Sequence, residues 1–246
     1  MGFIEEAVEN LRKLSKTTYP GRGIILGMSP DGKKYVQIYW IMGRSENSRN
    51  RVFIEENGYV KTKAFDEKKV TDPSLIIYYP VKNIANCHIV TNGDQTDTVY
   101  ESIKNYRTFE DAMSTRTFEP DSPNFTPRIS GIIDLDDSTY AYKLSVLKSI
   151  DNNKMYGQKN LFIYEKAIPG YGHCITTYRS DGNPLPSFDS EPMILPVYDD
   201  TDHMADIYWN TLDEENKVAL MVKTINSDTG LFSVIIKNKL HAPEVK

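Results

Sequence analysis

The sequence has few of the residues that build disulfide frameworks and metal sites. Of its 246 residues, two are cysteines, Cys87 and Cys174, and four are histidines. Two cysteines are too few for the disulfide framework of a small secreted domain. No two histidines have the four-residue spacing of a helical zinc motif, and CxxC, P-loop, GxGxxG and GxSxG motifs are absent. We therefore expect no metal ion and no cofactor.

Long apolar runs and an excess of basic residues are also lacking. No apolar stretch approaches the roughly 18 residues of a membrane span, and the first residues do not have the basic start and apolar stretch of a secretory signal. The formal net charge of -5 disfavours general nucleic-acid binding. These features predict a cytoplasmic protein without membrane or nucleic-acid partners, and they leave open whether it forms a homo-oligomer.

The remaining composition is that of a globular chain, with 39% hydrophobic and 26% charged residues. We expect one domain over 1–246, with 1–18 as an N-terminal helical extension and the proline-rich segment 180–196 as a long loop. Periodicity predicts helices at 3–14, 96–113 and 201–212. It predicts strands at 23–28, 35–42, 51–54, 75–79, 88–91, 129–134, 140–147, 161–166, 173–178, 217–225 and 231–236. Short turns between these strands favour antiparallel sheets with helices on their outer faces, an α+β fold.

Two polar clusters lie beside the first predicted strands, one before the strand 23–28 and one after the strand 35–42. The first, Tyr19-Pro-Gly-Arg22-Gly, combines glycines that allow close backbone approach with an arginine that can bind a phosphate or carboxylate through two hydrogen bonds. A helix-to-strand turn with a surface arginine is the alternative. The second, 43–51, contains Arg44, Arg49 and Arg51 among Ser and Asn residues. This composition is typical of an oxyanion-binding loop, and a solvated surface is the alternative.

Two further clusters lie in the middle of the chain. The segment 91–98, Thr-Asn-Gly-Asp-Gln-Thr-Asp-Thr, precedes a predicted helix, so it indicates either an anion or sugar site or simple helix capping. The segment 118–128 contains three prolines and offers Glu119 and Asp121 as acid/base groups. An exposed proline-rich linker is the alternative for this segment.

In this order, the clusters resemble the archaeal-type inosine monophosphate (IMP) cyclohydrolase family and its bacterial relatives. The resemblance extends from about Tyr19 to Tyr178. The matching residues are Tyr19-Pro-Gly-Arg22, Arg44-Ser45 with Asn50-Arg51, Tyr78, Asn92-Gly-Asp-Gln-Thr96-Asp97, Glu119-Pro-Asp and Thr126-Pro127-Arg128-Ile. Members of this family adopt the four-layered αββα fold of N-terminal-nucleophile hydrolases. The resemblance therefore implies two mostly antiparallel sheets between two layers of helices.

The resemblance also implies the activity: ring closure of 5-formamidoimidazole-4-carboxamide ribonucleotide to IMP with loss of water. In this chemistry a carboxamide nitrogen attacks a formyl carbon, so the enzyme must align the two groups, stabilise an oxyanion and move protons. Carried over by motif, the catalytic residues would be Arg51, Tyr78 and Glu119. The substrate-binding residues would be Arg22, Arg44, Ser45, Asn50, Asn92, Gly93, Asp94, Thr96 and Arg128.

The sequence departs from the family pattern at two positions that bear on these roles. The loop 45–51 is longer than the archaeal pattern, so Arg49 competes with Arg51 for the catalytic position. Gln95 stands where archaeal members often have His. Two other functions stay open: a non-catalytic purine-nucleotide-binding relative, and an amide hydrolase of the same fold acting through a processed N-terminus.

Overall fold

The computed structural model describes residues 2–70 and 77–241. Its α-helices are α1 (Phe3–Lys16), α2 (Glu46–Arg49), α3 (Gln95–Lys104), α4 (Phe109–Ser114) and α5 (Thr201–Thr211), with a 3-10 turn at Glu67–Lys69. Its strands are β1 (Gly23–Met28), β2 (Lys34–Met42), β3 (Arg51–Glu56), β4 (Tyr59–Ala64), β5 (Val81–Ile84), β6 (Cys87–Thr91), β7 (Arg128–Asp134), β8 (Tyr142–Ile150), β9 (Asn153–Tyr164), β10 (Tyr171–Thr176), β11 (Met193–Pro196), β12 (Lys217–Asn226) and β13 (Phe232–Asn238). None of the helices in this part of the chain is long and apolar enough to cross a membrane.

The strands form two antiparallel sheets. The first has the order β11-β10-β1-β2-β12-β13, and the second has the order β3-β4-β5-β6-β7-β8-β9. Alternation along β2 shows how they stack: Tyr39 and Ile41 belong to the core between the sheets, whereas Ile38 and Trp40 belong to the core under the helices. Both faces of β2 are therefore covered, which explains its nearly continuous apolar sequence.

Helices cover the outer face of each sheet. Leu14 of α1 and Tyr208 of α5 pack on the first sheet, and Val99 of α3 and Phe109 of α4 pack on the second. The resulting layer order is helix, sheet, sheet, helix. The predicted α+β fold, with two mostly antiparallel sheets in a layered sandwich, is confirmed.

The ends of several strands meet at one end of the sandwich, which we call the site end. In the first sheet, the start of β1 at Gly23 lies beside Trp40 near the end of β2 and Thr176 at the end of β10. In the second sheet, Thr91 at the end of β6 lies beside the start of β7. The loops that carry the predicted functional residues therefore converge at the site end.

Some predicted elements differ from the structure. The helix predicted over 96–113 is wrong as one element, because the chain turns through Tyr106 at a φ of 57° and α4 starts at a new capping box formed by Thr108 and Asp111. Strands β4 and β5 were not predicted, and the last four residues of the predicted loop 180–196 form β11. Of the predicted strand 75–79, positions 75 and 76 lie outside the described residues, and 77–79 are not in a strand.

Candidate active site

Arg22 is held by a tight turn at the start of β1. The turn is fixed to the end of β10, because the Arg22 amide donates to Thr177 Oγ1 at 3.1 Å and the Thr177 amide donates to the Arg22 carbonyl at 2.9 Å. Gly21 makes this approach possible: its φ is 73°, and a Cβ there would lie 2.1 Å from Thr177 Oγ1. The turn places the half-buried Arg22 side chain at the site end, where its Nε has no partner among the described residues.

Arg51 begins β3 and is almost fully buried, with 1% of its surface exposed. Its Nε donates to the Ser48 carbonyl at 2.8 Å, while its buried Nη1 has no partner within residues 2–70 and 77–241. Arg49 points elsewhere, since its guanidinium donates to the Gly43 carbonyl and to Asn216 Oδ1. Of the two arginines that compete on sequence, Arg51 therefore presents an unpartnered donor to the site.

Tyr78 is anchored by the end of β4. Its amide donates to Thr62 Oγ1 at 2.8 Å, and its carbonyl accepts from the Thr62 amide at 2.9 Å. Its hydroxyl lies 2.9 Å from that of Tyr39, a fully buried residue of β2. The pair joins β2 of the first sheet to the segment that precedes β5 through a phenol–phenol hydrogen bond.

Glu119 lies in a loop that folds back on itself before β7. The Glu119 amide donates to the Thr126 carbonyl at 2.9 Å, and the Asp121 carboxylate accepts from both the amide and the hydroxyl of Thr126. Burial raises the pKa of the Glu119 carboxyl, while Arg22 and Arg128 act to lower it. The loop thus holds a poorly solvated carboxylate among guanidinium groups.

Electrostatic coupling shows that these groups form one cluster. Burial works against the charge of Arg22, but Glu119 and Tyr78 hold its pKa above the usual range. Burial and the neighbouring Arg22 lower the pKa of Arg51, with Tyr78 acting in the opposite direction. Arg22, Arg51, Tyr78 and Glu119, which we call the site cluster, thus combine two cations, a carboxylate and a phenol at the site end.

Gly93 and Arg128 line the side of Glu119. A Cβ on Gly93 would lie 2.8 Å from Arg128 Nη1, which would have to move, and 3.6 Å from Glu119 Oε1, an ordinary contact distance. Arg128 Nη1 donates to Asp94 Oδ1 at 2.6 Å and to Gln95 Oε1 at 2.7 Å. The segment 92–96 therefore orients Arg128 beside the carboxylate.

Several predicted binding residues use their polar atoms within the protein. Asn92 accepts from the Ile129 amide and donates to the Pro127 carbonyl, and Thr96 bonds to Thr91 Oγ1. Ser45 caps α2, and Asn50 exchanges two hydrogen bonds with the Asp66 backbone. The structure thus gives these four residues structural hydrogen bonds that position the loops of the site end.

Arg44 is more exposed than the site cluster. Its Nη1 donates to Asp181 Oδ1 at 2.6 Å, and its guanidinium lies over the Tyr19 ring at 4.9 Å from the centroid. Tyr19 in turn stacks on Tyr178, whose hydroxyl lies 2.7 Å from Thr126 Oγ1. Arg44 therefore packs at the rim of the site, on the outer side of an aromatic pair.

The sequence did not indicate Tyr39 as a member of the site. It lies in an apolar strand, and nothing in the pattern of β2 distinguishes it from a core residue. Strand alternation places it on the inter-sheet face, but contact with Tyr78 depends on how the sheets stack. No local sequence signal could have revealed that contact.

A second polar cluster lies between the sheets, further along the strands from the site end. We call it the lysine cluster: Lys223 of β12, Gln37 of β2, and His88 and Asn83 of β6 and β5. Gln37 Nε2 donates to the His88 carbonyl at 2.9 Å, and Lys223 Nζ lies 3.9 Å from the centroid of the Phe232 ring. Several polar atoms of this cluster are buried without a hydrogen-bond partner among the described residues: Lys223 Nζ, both His88 ring nitrogens, Gln37 Oε1 and Asn83 Oδ1. Burial lowers the pKa of Lys223 to about 7, with Glu55 acting to raise it, and lowers that of His88 to about 3.

Comparison with known proteins gives a family and a set of relatives. The family model described as "IMP cyclohydrolase-like protein" matches residues 19–229. The IMP cyclohydrolases of Methanococcus maripaludis strains C7 and S2 are 30% and 31% identical to the chain over 128 and 129 residues, and that of Methanococcus aeolicus is 29% identical over 128 residues. Each alignment covers 50% of this chain and 62% of the relative, so the chain spans less than two thirds of the curated relatives that it matches. Because the family match covers most of its length, the chain belongs to the IMP cyclohydrolase-like protein family.

Proposed function

We propose that the protein is an IMP cyclohydrolase, which closes the pyrimidine ring of 5-formamidoimidazole-4-carboxamide ribonucleotide with loss of water. The observation that carries the proposal is the site cluster: two guanidinium groups, each with a nitrogen that has no partner among the described residues, beside a buried carboxylate and a buried phenol. Membership of the family and the names of the Methanococcus relatives support it. The proposal includes a purine ribonucleotide as substrate, a single domain over 1–246 and a biosynthetic role in the cytoplasm.

Arg51 is assigned to the oxyanion of the addition step. When the carboxamide nitrogen attacks the formyl carbon, the formyl oxygen gains negative charge. The buried Nη1 of Arg51 has no partner among the described residues and is available to that oxygen. A preorganised donor of this kind typically contributes about 3 kcal/mol to stabilising the transition state.

Glu119 is assigned to proton removal from the carboxamide nitrogen. An amide is a weak nucleophile, so the proton must leave as the new bond forms. Burial makes Glu119 a stronger base than a solvated carboxylate, since it raises the pKa of the group. Arg22 and Arg128 act in the opposite direction and favour the ionised form of the carboxylate.

Tyr78 is assigned to proton donation in the second step, in which the adduct loses its hydroxyl group. Glu119 first returns its proton to the oxyanion, which gives this hydroxyl group. The C–O bond then breaks, and the oxygen leaves as water with the bonding electrons and the proton of Tyr78. The formamido nitrogen passes its proton to the Tyr78 phenolate as the new C=N bond forms, which restores Tyr78. Arg22 and Arg128 bind the anionic nucleotide, while Ser45, Asn50, Asn92, Gly93, Asp94 and Thr96 shape the loops around it, with Arg44 at the rim.

A turnover assay tests the proposal. Purified protein is mixed with the formylated ribonucleotide, without added metal or folate, and IMP formation is followed by ultraviolet absorbance. We expect turnover by the wild type, a loss of about 10²-fold or more in Tyr78→Phe, and no loss in Tyr106→Phe, whose side chain is fully exposed.

The other outcomes separate the alternatives. Binding of IMP without turnover would identify a non-catalytic nucleotide-binding relative. Neither binding nor turnover, together with a shortened chain in the intact mass, would identify a processed amide hydrolase.

A further inference from the structure

The hydroxyl group of Tyr39 is buried behind the site cluster, next to Tyr78. Its side chain is fully buried between the sheets, and its hydroxyl lies 2.9 Å from the hydroxyl of Tyr78. Within residues 2–70 and 77–241, that contact is the hydrogen bond that the Tyr39 hydroxyl makes. Tyr78, by contrast, retains a small exposed surface at the site end.

The single contact determines the direction of the hydrogen bond. Each phenol has one proton to donate. If Tyr78 donated to Tyr39, the proton of Tyr39 would be buried without an acceptor, which is costly in a protein interior. If Tyr39 donates to Tyr78, the buried proton of Tyr39 has an acceptor and the proton of Tyr78 is free to point out of the pair.

We infer that Tyr39 is a positioning residue for the reaction: it donates a hydrogen bond to the Tyr78 oxygen and so directs the Tyr78 proton toward the substrate. This inference rests on the proposed function, in which Tyr78 protonates the departing hydroxyl. As that proton leaves, negative charge develops on the Tyr78 oxygen, and a hydrogen bond from Tyr39 becomes stronger because it now reaches an anion. Tyr39 therefore stabilises the transition state of the dehydration step more than the bound substrate.

The surrounding charges support the same role. Burial raises the pKa of Tyr39, and the neighbouring Tyr78 adds to this, while Arg22 and Arg51 act to lower it. Tyr39 thus stays protonated and remains a donor across the working pH range. The two arginines are the groups that favour negative charge on the nearby Tyr78 oxygen during the reaction.

Tyr39→Phe tests the inference, with Tyr35→Phe as the matched control. Tyr35 lies four residues earlier on β2 and packs against the same inter-sheet core. We expect Tyr39→Phe to lower kcat by about 10- to 100-fold, the effect of a hydrogen bond to a charged group, with KM changed less than about twofold. In a Tyr78→Phe background, Tyr39→Phe should have no further effect on kcat. In the wild-type background, Tyr35→Phe should leave kcat and KM unchanged.

The outcomes separate this inference from the proposed function. Wild-type turnover that Tyr78→Phe reduces and Tyr39→Phe does not would overturn the role of Tyr39 alone. Absence of wild-type turnover would overturn the proposed function and this role with it. If Tyr39→Phe fails to fold, Tyr39→His retains a ring and a donor, and its kcat must then lie between those of the wild type and Tyr78→Phe. Full wild-type kcat in Tyr39→His would contradict the inference.

Discussion

The site cluster and the lysine cluster both place polar groups between the same two sheets, yet they handle charge in opposite ways. In the site cluster, Glu119 lies among arginines and the pKa of Arg22 is held above its usual range. In the lysine cluster, burial lowers the pKa of Lys223 to about 7, although Glu55 acts to raise it. Burial alone therefore does not decide whether a charge persists, because the neighbouring charges decide it.

The difference bears on function. Charges that persist in a poorly solvated place interact strongly with a substrate and need no reorganisation during the reaction. A lysine that loses its charge near neutral pH contributes instead to the pH dependence of folding. The same stack of sheets thus contains one region suited to catalysis and one that affects stability.

Among the charged groups other than Glu119, the largest expected effect is at Arg51, for which Arg49 of the same 43–51 loop is the control. Arg51→Met should lower kcat by about 10²- to 10³-fold, the cost of removing an oxyanion donor. Arg49→Met should lower it by less than about threefold, because Arg49 bonds to Gly43 and Asn216 on the outer side. Steady-state kinetics of both variants provide the measurement. A larger loss of kcat in Arg49→Met than in Arg51→Met would assign the oxyanion-binding role to Arg49 instead.

The second effect concerns stability in the lysine cluster. Because the pKa of Lys223 is about 7 in the folded protein and 10.5 for an unperturbed lysine, the unfolded chain binds more protons between these pH values. The free energy of unfolding should therefore rise with pH from about 7 to about 10.5. Lys223→Met should remove this slope and raise the free energy of unfolding at pH 6 by roughly 2–4 kcal/mol.

Urea unfolding at several pH values measures this effect. Lys237→Met is the control, since Lys237 forms a partly exposed ion pair with Asp206. An unchanged slope in Lys223→Met would mean that Lys223 keeps its charge in the folded protein.

The third effect sharpens the role of neighbouring charge in the site cluster. Arg22 is the strongest of the groups that lower the Glu119 pKa. In Arg22→Met, the Glu119 pKa should rise further, so the acid limb of the pH–kcat profile should move to higher pH. The kcat of this variant, measured between pH 5 and 9, locates the acid limb. An acid limb that stays in place or moves to lower pH would contradict the assignment of Glu119.

The smallest effect is expected at the rim. The Arg44–Asp181 ion pair is 39% and 46% exposed on its two side chains, and such pairs contribute about 0–1 kcal/mol. Asp181→Asn should therefore change kcat/KM by less than about fivefold. A much larger change would show that Arg44 contacts the substrate and needs Asp181 to hold it.

The sequence predicted the loops of the site better than their contacts. The turn before β1 follows from the glycines beside Arg22, and the antiparallel sheets follow from the short turns between strands. The layered sandwich was predicted only through the family resemblance. The break between α3 and α4 was missed, although Thr108 and Asp111 have the spacing of a capping box. The Tyr39–Tyr78 pair could not be predicted, because it depends on the stacking of two sheets. The same holds for the unpartnered nitrogen of Arg51.

The central claim, that the site cluster performs catalysis, is tested most directly by Glu119→Gln. This change preserves the shape of the side chain and removes its ability to accept a proton, and Glu215→Gln provides an exposed control. We predict that Glu119→Gln loses about 10²- to 10⁴-fold in kcat while its affinity for IMP, measured by calorimetry, stays within about threefold of the wild type. Full turnover in Glu119→Gln with unchanged IMP affinity would contradict the claim.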